Sequence, residues 1–322
     1  MDSGNNQNLI EMQAASLDFG RGTGVFDLTF NLSAGTILGF IGPSGCGKTT
    51  TMRLLTGIYE STAGLVRVFG KNPVNFQDAD KARIGYLPQH FILYQYLSAE
   101  ENLHFMGGMY GMSLMERRAR IDRLLDFLDL HAARKRLGRH LSGGMQRRLM
   151  LAGALLHNPE LIFADEPTAG IDPILRSRIW QNFHQLRDDG HTLLVTTQYV
   201  GEAAFCDLVA VMCNGRLVTI DAPQALRRKA MGGDIIHLQA EADTGFLVME
   251  YLDSLPQVKK VERVKDEQDG MYVFVEDTSK ELPALLSILN EDLGTIPLIA
   301  EPYLPPFDEV FVRLIQPVQE TG

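Results

Sequence analysis

One nine-residue stretch, "GPSGCGKTT" (Gly42–Thr50), restricts the fold of this chain more than any other. It follows the apolar run "TILGFIG" and opens "KTTTMRLLTG", so a buried strand passes through a glycine-rich turn into a helix that ends near Gly57. The spacing is G-x-x-x-x-G-K-[ST]. Glycines at these places let successive backbone N–H groups turn inward around phosphate oxygens, and the helix N-terminus adds partial positive charge. The expected phosphate-binding residues are therefore Gly42, Pro43, Ser44, Gly45, Cys46, Gly47, Lys48, Thr49 and Thr50. Lys48 would neutralise the terminal phosphates and the Thr49 hydroxyl would hold Mg²⁺. Cys46 sits where a bulky thiol adduct would block the loop.

The rest of the first two thirds suits such a loop. Strands "IEMQAASLDF" and "FDLTFNL" precede it, and "LIFA" and "TLLVTT" follow, separated by the helical "RSRIWQNFHQL". This alternation predicts an α/β fold with a largely parallel, helix-covered sheet. Residues 98–158 read as helices: Ser98 with Glu101 and Ser113 with Glu116 have capping-box spacing, and Ile121, Leu124, Leu125 and Leu128 share one face. "LIFADE" is a strand that ends in two carboxylates. Asp165 would reach Mg²⁺, and Glu166 would polarise an attacking water.

Composition bounds the remainder. A chain of 322 residues, 45% hydrophobic and 22% charged, is expected to form about two soluble globular domains. The first ten residues lack the layout of a signal peptide, and no apolar run approaches the roughly 18–20 residues that span a bilayer. Three cysteines make no disulfide framework, which points to a reducing cytosol. The net charge of −10 is uneven: residues 1–222 carry −1 and residues 223–322 carry −9. That shift predicts a first domain over 1–222, a linker over 223–232 and a second domain over 233–322. It also argues against nucleic acid as a partner. The basic run from Arg117 to His140 reads as a solvated helix face, with a headgroup or partner contact as the sharper alternative. In the acidic tail, "DIIHLQAE", "GFLVMEYLDSL", "VKKVERV", "MYVFVED", "KELPALLSILNEDL" and "IPLIAEP" follow a βαββαβ order, the ferredoxin-like pattern, with "PPFDEVFVRLI" as a short terminal helix.

"LSGGMQRR" (Leu141–Arg148) selects among phosphate-loop proteins. Ser142, Gly143 and Gly144 open a second helix suited to an anion, which one phosphate loop does not require. With this motif, residues 9–222 resemble an ATP-binding-cassette (ABC) ATPase. The resemblance implies a phosphate-loop cassette with a helical subdomain. It implies that Ser142, Gly143 and Gly144 cap the γ-phosphate of ATP on an opposite subunit, so that two ATPase domains, identical or closely related, pair head to tail. It places Phe19 against adenine, Gln89 of "YLPQH" between the nucleotide, its Mg²⁺ and a membrane partner, and Asp172 of "AGIDP" across the dimer interface. The tail resembles that of drug, polysaccharide and antibiotic-resistance exporters.

The departure from the family is Gln198, in "TTQY", where most members carry histidine; the daunorubicin-resistance type is similar to this chain there. Because Lys48, Glu166 and Ser142 are all present, the expected site is active, with Gln198 as part of its catalytic set. The resemblance implies an ATPase that drives a separate membrane permease, peripheral on the cytoplasmic face. The apolar material between Gln89 and Gly111, "FILYQYL" and "FMGGMYGM", is the expected docking region. The alternative is a non-transport cassette acting on a macromolecular assembly.

Overall fold

The computed structural model describes residues 8–90, 92–265 and 267–320, the side chains of 317–320 excepted. Residues 1–7 of the polar opening and Phe91, at the head of "FILYQYL", lie outside the described residues. The chain divides into two compact units, Met1–Asp221 and Ala222–Gly322.

The first unit runs β1 (Asn8–Gly20), β2 (Thr23–Ser33), β3 (Ile37–Ile41), α1 (Lys48–Leu55), β4 (Ala63–Val68), α2 (Asp78–Lys81), β5 (Ile84–Leu87), α3 (Ala99–Met109), α4 (Leu114–Phe127), α5 (Gly143–Leu155), β6 (Leu161–Asp165), α6 (Pro173–Asp188), β7 (Thr192–Thr197), β8 (Leu208–Cys213) and β9 (Arg216–Asp221). A six-stranded sheet in the order β5–β6–β7–β3–β8–β9 is parallel except for β9. A smaller antiparallel sheet, β2–β1–β4, lies over it and shares its core, where the rings of Phe30 and Phe40 meet at 5.5 Å. All five residues of β3 are buried, as expected of a central parallel strand covered on both faces. Parallel register sets Ile41 beside Thr197 and Asp165 beside Thr196. The carboxyl ends of β3, β6 and β7 therefore meet along one edge, and the chemistry gathers there.

Both expected capping boxes form: Ser98 Oγ accepts from Glu101 N at 3.3 Å, and Ser113 Oγ accepts from Glu116 N at 3.3 Å. Ile121, Leu124, Leu125 and Leu128 are all buried. Much of the basic run is used internally. Arg117 donates to the carbonyls of His104 and Met112, and Arg134 pairs with Glu100 at 2.6 Å and Asp122 at 3.0 Å. The short strands β4, β5, β8 and β9 carry no pattern that the sequence alone singled out.

The second unit comprises α7 (Pro223–Met231), β10 (Asp234–Gln239), α8 (Gly245–Asp253), β11 (Val258–Arg263), β12 (Gly270–Val275), α9 (Thr278–Leu293), β13 (Ile299–Tyr303) and α10 (Phe307–Glu320). Its sheet has the order β11–β12–β10–β13 and is antiparallel throughout. Val248 and Leu252 of α8 and Leu285 and Leu289 of α9 pack on its inner face. The expected linker over 223–232 needs correction. Pro223 starts a helix, Gly232 closes it at φ 76°, and Leu226 is fully buried, so the stretch is an element of the second unit. The terminal helix is also longer than expected, at 14 residues.

Candidate active site

The phosphate loop leaves β3 and has no room for a side chain at Gly42 or Gly47. A Cβ on Gly42 would lie 2.4 Å from the Met212 carbonyl oxygen. One on Gly47, at φ 109°, would lie 2.5 Å from Val25 Cγ1. Gly47 N-caps α1 without a side-chain hydrogen bond, so the first-turn N–H groups remain as donors for an anion. Lys48 is buried and its Nζ donates to the carbonyls of Gly42 (2.7 Å) and Pro43 (3.0 Å), which holds the ammonium across the loop. Cys46 is also buried. Burial pushes its thiol above the ordinary value, against the pull of Lys48.

Thr49, Asp165 and Thr196 form one cluster. Thr49 Oγ1 donates to Asp165 Oδ1 at 3.1 Å, and Thr196 Oγ1 donates to the same oxygen at 2.6 Å. A hydroxyl and a buried carboxylate this close, next to a phosphate loop, are hard oxygen donors of the kind Mg²⁺ takes. The residues fit the ion.

Glu166 follows at φ 46°, a left-handed conformation that costs about 1–2 kcal/mol for a residue with a Cβ. Hydrogen bonds to its backbone and side chain hold it there. Its N–H donates to Thr196 O (3.1 Å) and Thr196 Oγ1 (3.0 Å). Its carbonyl accepts from Arg147 Nη2 at 2.7 Å, and its Oε2 accepts from Gln89 Nε2 at 2.9 Å. The positive φ ends the strand line at Asp165, and the carboxylate meets Gln89, just past the end of β5.

Ser142 and Asp172 do not join this cluster. Each is exposed and N-caps a helix: Ser142 Oγ accepts from Met145 N at 3.3 Å, and Asp172 Oδ1 accepts from Leu175 N at 2.9 Å. The two helix starts touch, because a Cβ on Gly144 would lie 2.3 Å from Leu175 Cδ2. The signature and "AGIDP" motifs thus share one exposed corner, outside the Lys48–Asp165–Glu166 cluster.

A sequence profile described as ABC transporter matches residues 25–169. The chain is 37% identical over 230 residues to the Nod factor export ATP-binding protein I of Paraburkholderia xenovorans, covering 71% of this chain and 76% of that protein. The chain belongs to the ABC transporter family. It is 35% identical over 261 residues to the daunorubicin/doxorubicin resistance ATP-binding protein of Streptomyces peucetius, covering 77% and 78% of the two chains. Among solved structures, a dimeric ATP-binding cassette in a post-hydrolysis state, bound to ADP and Pi, aligns with a TM-score of 0.60 at 26% identity, covering 66% of this chain and 98% of that one. The chain is an ABC transporter ATPase, the main reading from sequence, and the relatives named favour it over a non-transport cassette.

The remaining predicted residues of this ABC ATPase fall as follows. Phe19 is 55% exposed, with Tyr59 edge-on at 5.6 Å, so a ring face is open for a flat base. Gln198 sits just past β7, exposed and without a hydrogen-bond partner among the described residues. One residue that sequence reading missed is Arg147. It is 3% exposed, and its guanidinium donates to Pro88 O (2.9 Å), Gln89 O (3.0 Å) and Glu166 O. Burial lowers its pKa, and Asp165 and Glu166 oppose that shift. The signal was visible as the arginine after "LSGGMQ", but nothing in the sequence told a buried arginine from a surface one.

Pro88 also lines a groove of about 550 Å³ whose walls include Ile92, Tyr94, Phe105, Met109 and Tyr110. Ile92 and Met109 are 62% and 75% exposed. The apolar stretches expected to dock a partner therefore contribute to one concavity, bordered by Pro88, whose carbonyl Arg147 holds. No helix among the described residues is long and apolar enough to cross a membrane.

Proposed function

We propose that this ABC ATPase drives a membrane exporter, that it works as a head-to-tail pair of ATPase domains, and that a separate permease seats a segment in the Ile92–Tyr110 groove. The observation that carries the pairing is the exposed corner where Ser142 and Asp172 cap adjacent helices, neither of them bonded to the phosphate loop among the described residues. An exposed helix start with two glycines, Ser142–Gly144, that makes no hydrogen bond to the chain's own phosphate loop among the described residues suits the ATP of a second copy.

Within each site, Lys48 and the α1 amides would bind the β- and γ-phosphates, and Thr49 and Asp165 would hold Mg²⁺, with Gln89 at its border. Bound there, Mg²⁺ would neutralise phosphate charge that develops during cleavage. The Glu166 carboxylate would accept a proton from the attacking water. The carboxamide of Gln198 would donate a hydrogen bond to a γ-phosphate oxygen.

The permease reading draws support from the shared role of Pro88. Its ring borders the groove and its carbonyl is held by the same guanidinium that holds Glu166. A push in the groove would reach the catalytic carboxylate through one side chain. This arrangement implies a peripheral location on the cytoplasmic face of a membrane. The first unit would be the nucleotide-binding domain, with residues 98–158 as its helical subdomain. The strand order of the second unit supports a ferredoxin-like accessory domain.

Glu166→Gln tests the pairing. With MgATP the variant should bind nucleotide, fail to hydrolyse it and accumulate as a dimer in sedimentation velocity. A variant that binds ATP yet stays monomeric, with and without its permease, refutes the head-to-tail arrangement.

A further inference from the structure

Gln198 has no hydrogen-bond partner among the described residues, yet both its neighbours are tied down. Tyr199 N–H donates to Thr197 Oγ1 at 3.0 Å, and the Tyr199 carbonyl accepts from Glu202 N at 3.0 Å. The Tyr199 ring carries the Arg176 guanidinium at 4.1 Å from its centroid. Arg176 lies one turn into α6, where its N–H donates to the Asp172 carbonyl at 3.0 Å. The cation on Tyr199 is thus mounted directly behind the "AGIDP" loop.

Glu202 joins these parts. It is 2% exposed. Its Oε2 accepts from Thr168 Oγ1 at 3.0 Å, and its Oε1 faces Arg176 Nε at 3.5 Å. Neither Oε1 nor Nε has a hydrogen bond, so each is the other's charge partner. Thr168 is fully buried and lies in the turn that Ala169 N closes onto Glu166 O at 3.2 Å. A buried carboxylate is costly unless paired, so Glu202 holds Thr168 and Arg176 in fixed relation.

We propose that Glu202, Arg176 and Tyr199 are positioning residues that make the placement of Gln198 depend on the placement of the "AGIDP" loop. When that loop meets the opposite subunit, a shift of α6 is carried by Arg176 to the Tyr199 ring already seated on it, and so to the backbone that places Gln198. Glutamine makes this dependence necessary. An imidazole turns about two side-chain bonds, while a glutamine turns about three, so the longer side chain needs its backbone held. The inference rests on the reading of Gln198 as a γ-phosphate donor.

The test is a double-mutant cycle on the full-length chain, reading kcat and KM for MgATP. Gln198→Ala alone checks the underlying reading: wild-type activity in that variant would sink it. Arg176→Gln and Tyr199→Leu are then made with Gln198 and with Gln198→Ala. With Gln198 present, each should lower kcat by about 5- to 20-fold and leave KM within about twofold, the pattern of an interaction realised in the transition state. In the Gln198→Ala background each should cost less than about twofold more, because residues that act through one another are not additive. Tyr199→Phe, which keeps the ring, should recover most of what Tyr199→Leu loses. If Arg176→Gln fails to fold, the partly exposed Tyr199 carries the cycle by itself. Additive losses in the two backgrounds, or unchanged kcat in Tyr199→Leu, overturn the inference while leaving Gln198 as a donor.

Discussion

The guanidinium of Arg147 donates to the backbone carbonyl of Glu166 at 2.7 Å, and the same group donates to the carbonyls of Pro88 and Gln89. One buried cation therefore fixes Glu166, the proposed proton acceptor, and the segment that borders the apolar groove. Glu166 stays in its left-handed conformation because the hydrogen bonds on both sides of it outweigh the strain.

Removing that cation should damage turnover more than binding. A hydrogen bond to a charged group is worth about 1.5–3 kcal/mol, and Arg147→Met leaves three carbonyls without it. We expect kcat to fall by about 10- to 100-fold, with KM for MgATP changed far less. Arg147→Lys should recover part of the loss, since an ammonium cannot span all three acceptors. Steady-state ATPase assays on both variants, with melting curves as a folding control, check this.

At Gln198 the direction depends on the replacement. Gln198→His keeps a donor and should keep ATPase activity within about tenfold; Gln198→Ala should lose about 10- to 150-fold if the bond forms mainly in the transition state. Glutamine does not titrate, whereas histidine has a reference pKa of about 6.5. The Gln198→His variant should therefore gain a pH–rate dependence near pH 6–7 that the wild type lacks. Coincident profiles would show that the position does not touch the reacting phosphate.

Cys46 gives a reactivity prediction with a definite sign. The thiolate is the nucleophile, and burial raises this thiol above its ordinary 9.0. Alkylation by N-ethylmaleimide at pH 7 should be slower than for a free cysteine, and should speed up as the pH rises. The neutral, sheltered thiol makes the expected inhibition slow. Mass spectrometry resolved by site separates Cys46 from the other buried cysteines, Cys206 and Cys213. Rapid labelling at pH 7 would mean that the loop opens readily.

Because the chain divides after Asp221, a fragment ending there should fold and bind nucleotide. The cut should fall before Pro223, since α7 carries the buried Leu226 and belongs to the second unit. A fragment ending at Gly232 would expose that side chain and should be less soluble. Differential scanning calorimetry with and without MgATP compares the two. Loss of the cooperative transition in the shorter one would show that the units share their stability.

The sequence alone determined the local structures and the chemistry that short spacings encode. Strand, glycine turn and helix follow one another in Gly42–Thr50, so the phosphate loop was legible without any long-range contact. The capping serines Ser98 and Ser113 were legible for the same reason, because a capping box involves residues three apart, and Ser142 was legible as the opening of a helix. Asp165 and Glu166 could be named from the strand before them, but their roles diverge only in three dimensions. Register sets Asp165 beside Thr196, while Glu166 turns to positive φ. Arg147 and Glu202 were out of reach of sequence reasoning. Both look like ordinary charged residues on helical stretches, and only the packing of α5 and of the turn after β7 withdraws them from water. Burial depends on elements far apart in the chain, and it turns a charge from a solvated group into a fixed constraint. The same holds for the stretch 223–232, whose composition suggested a linker until the tertiary structure buried Leu226.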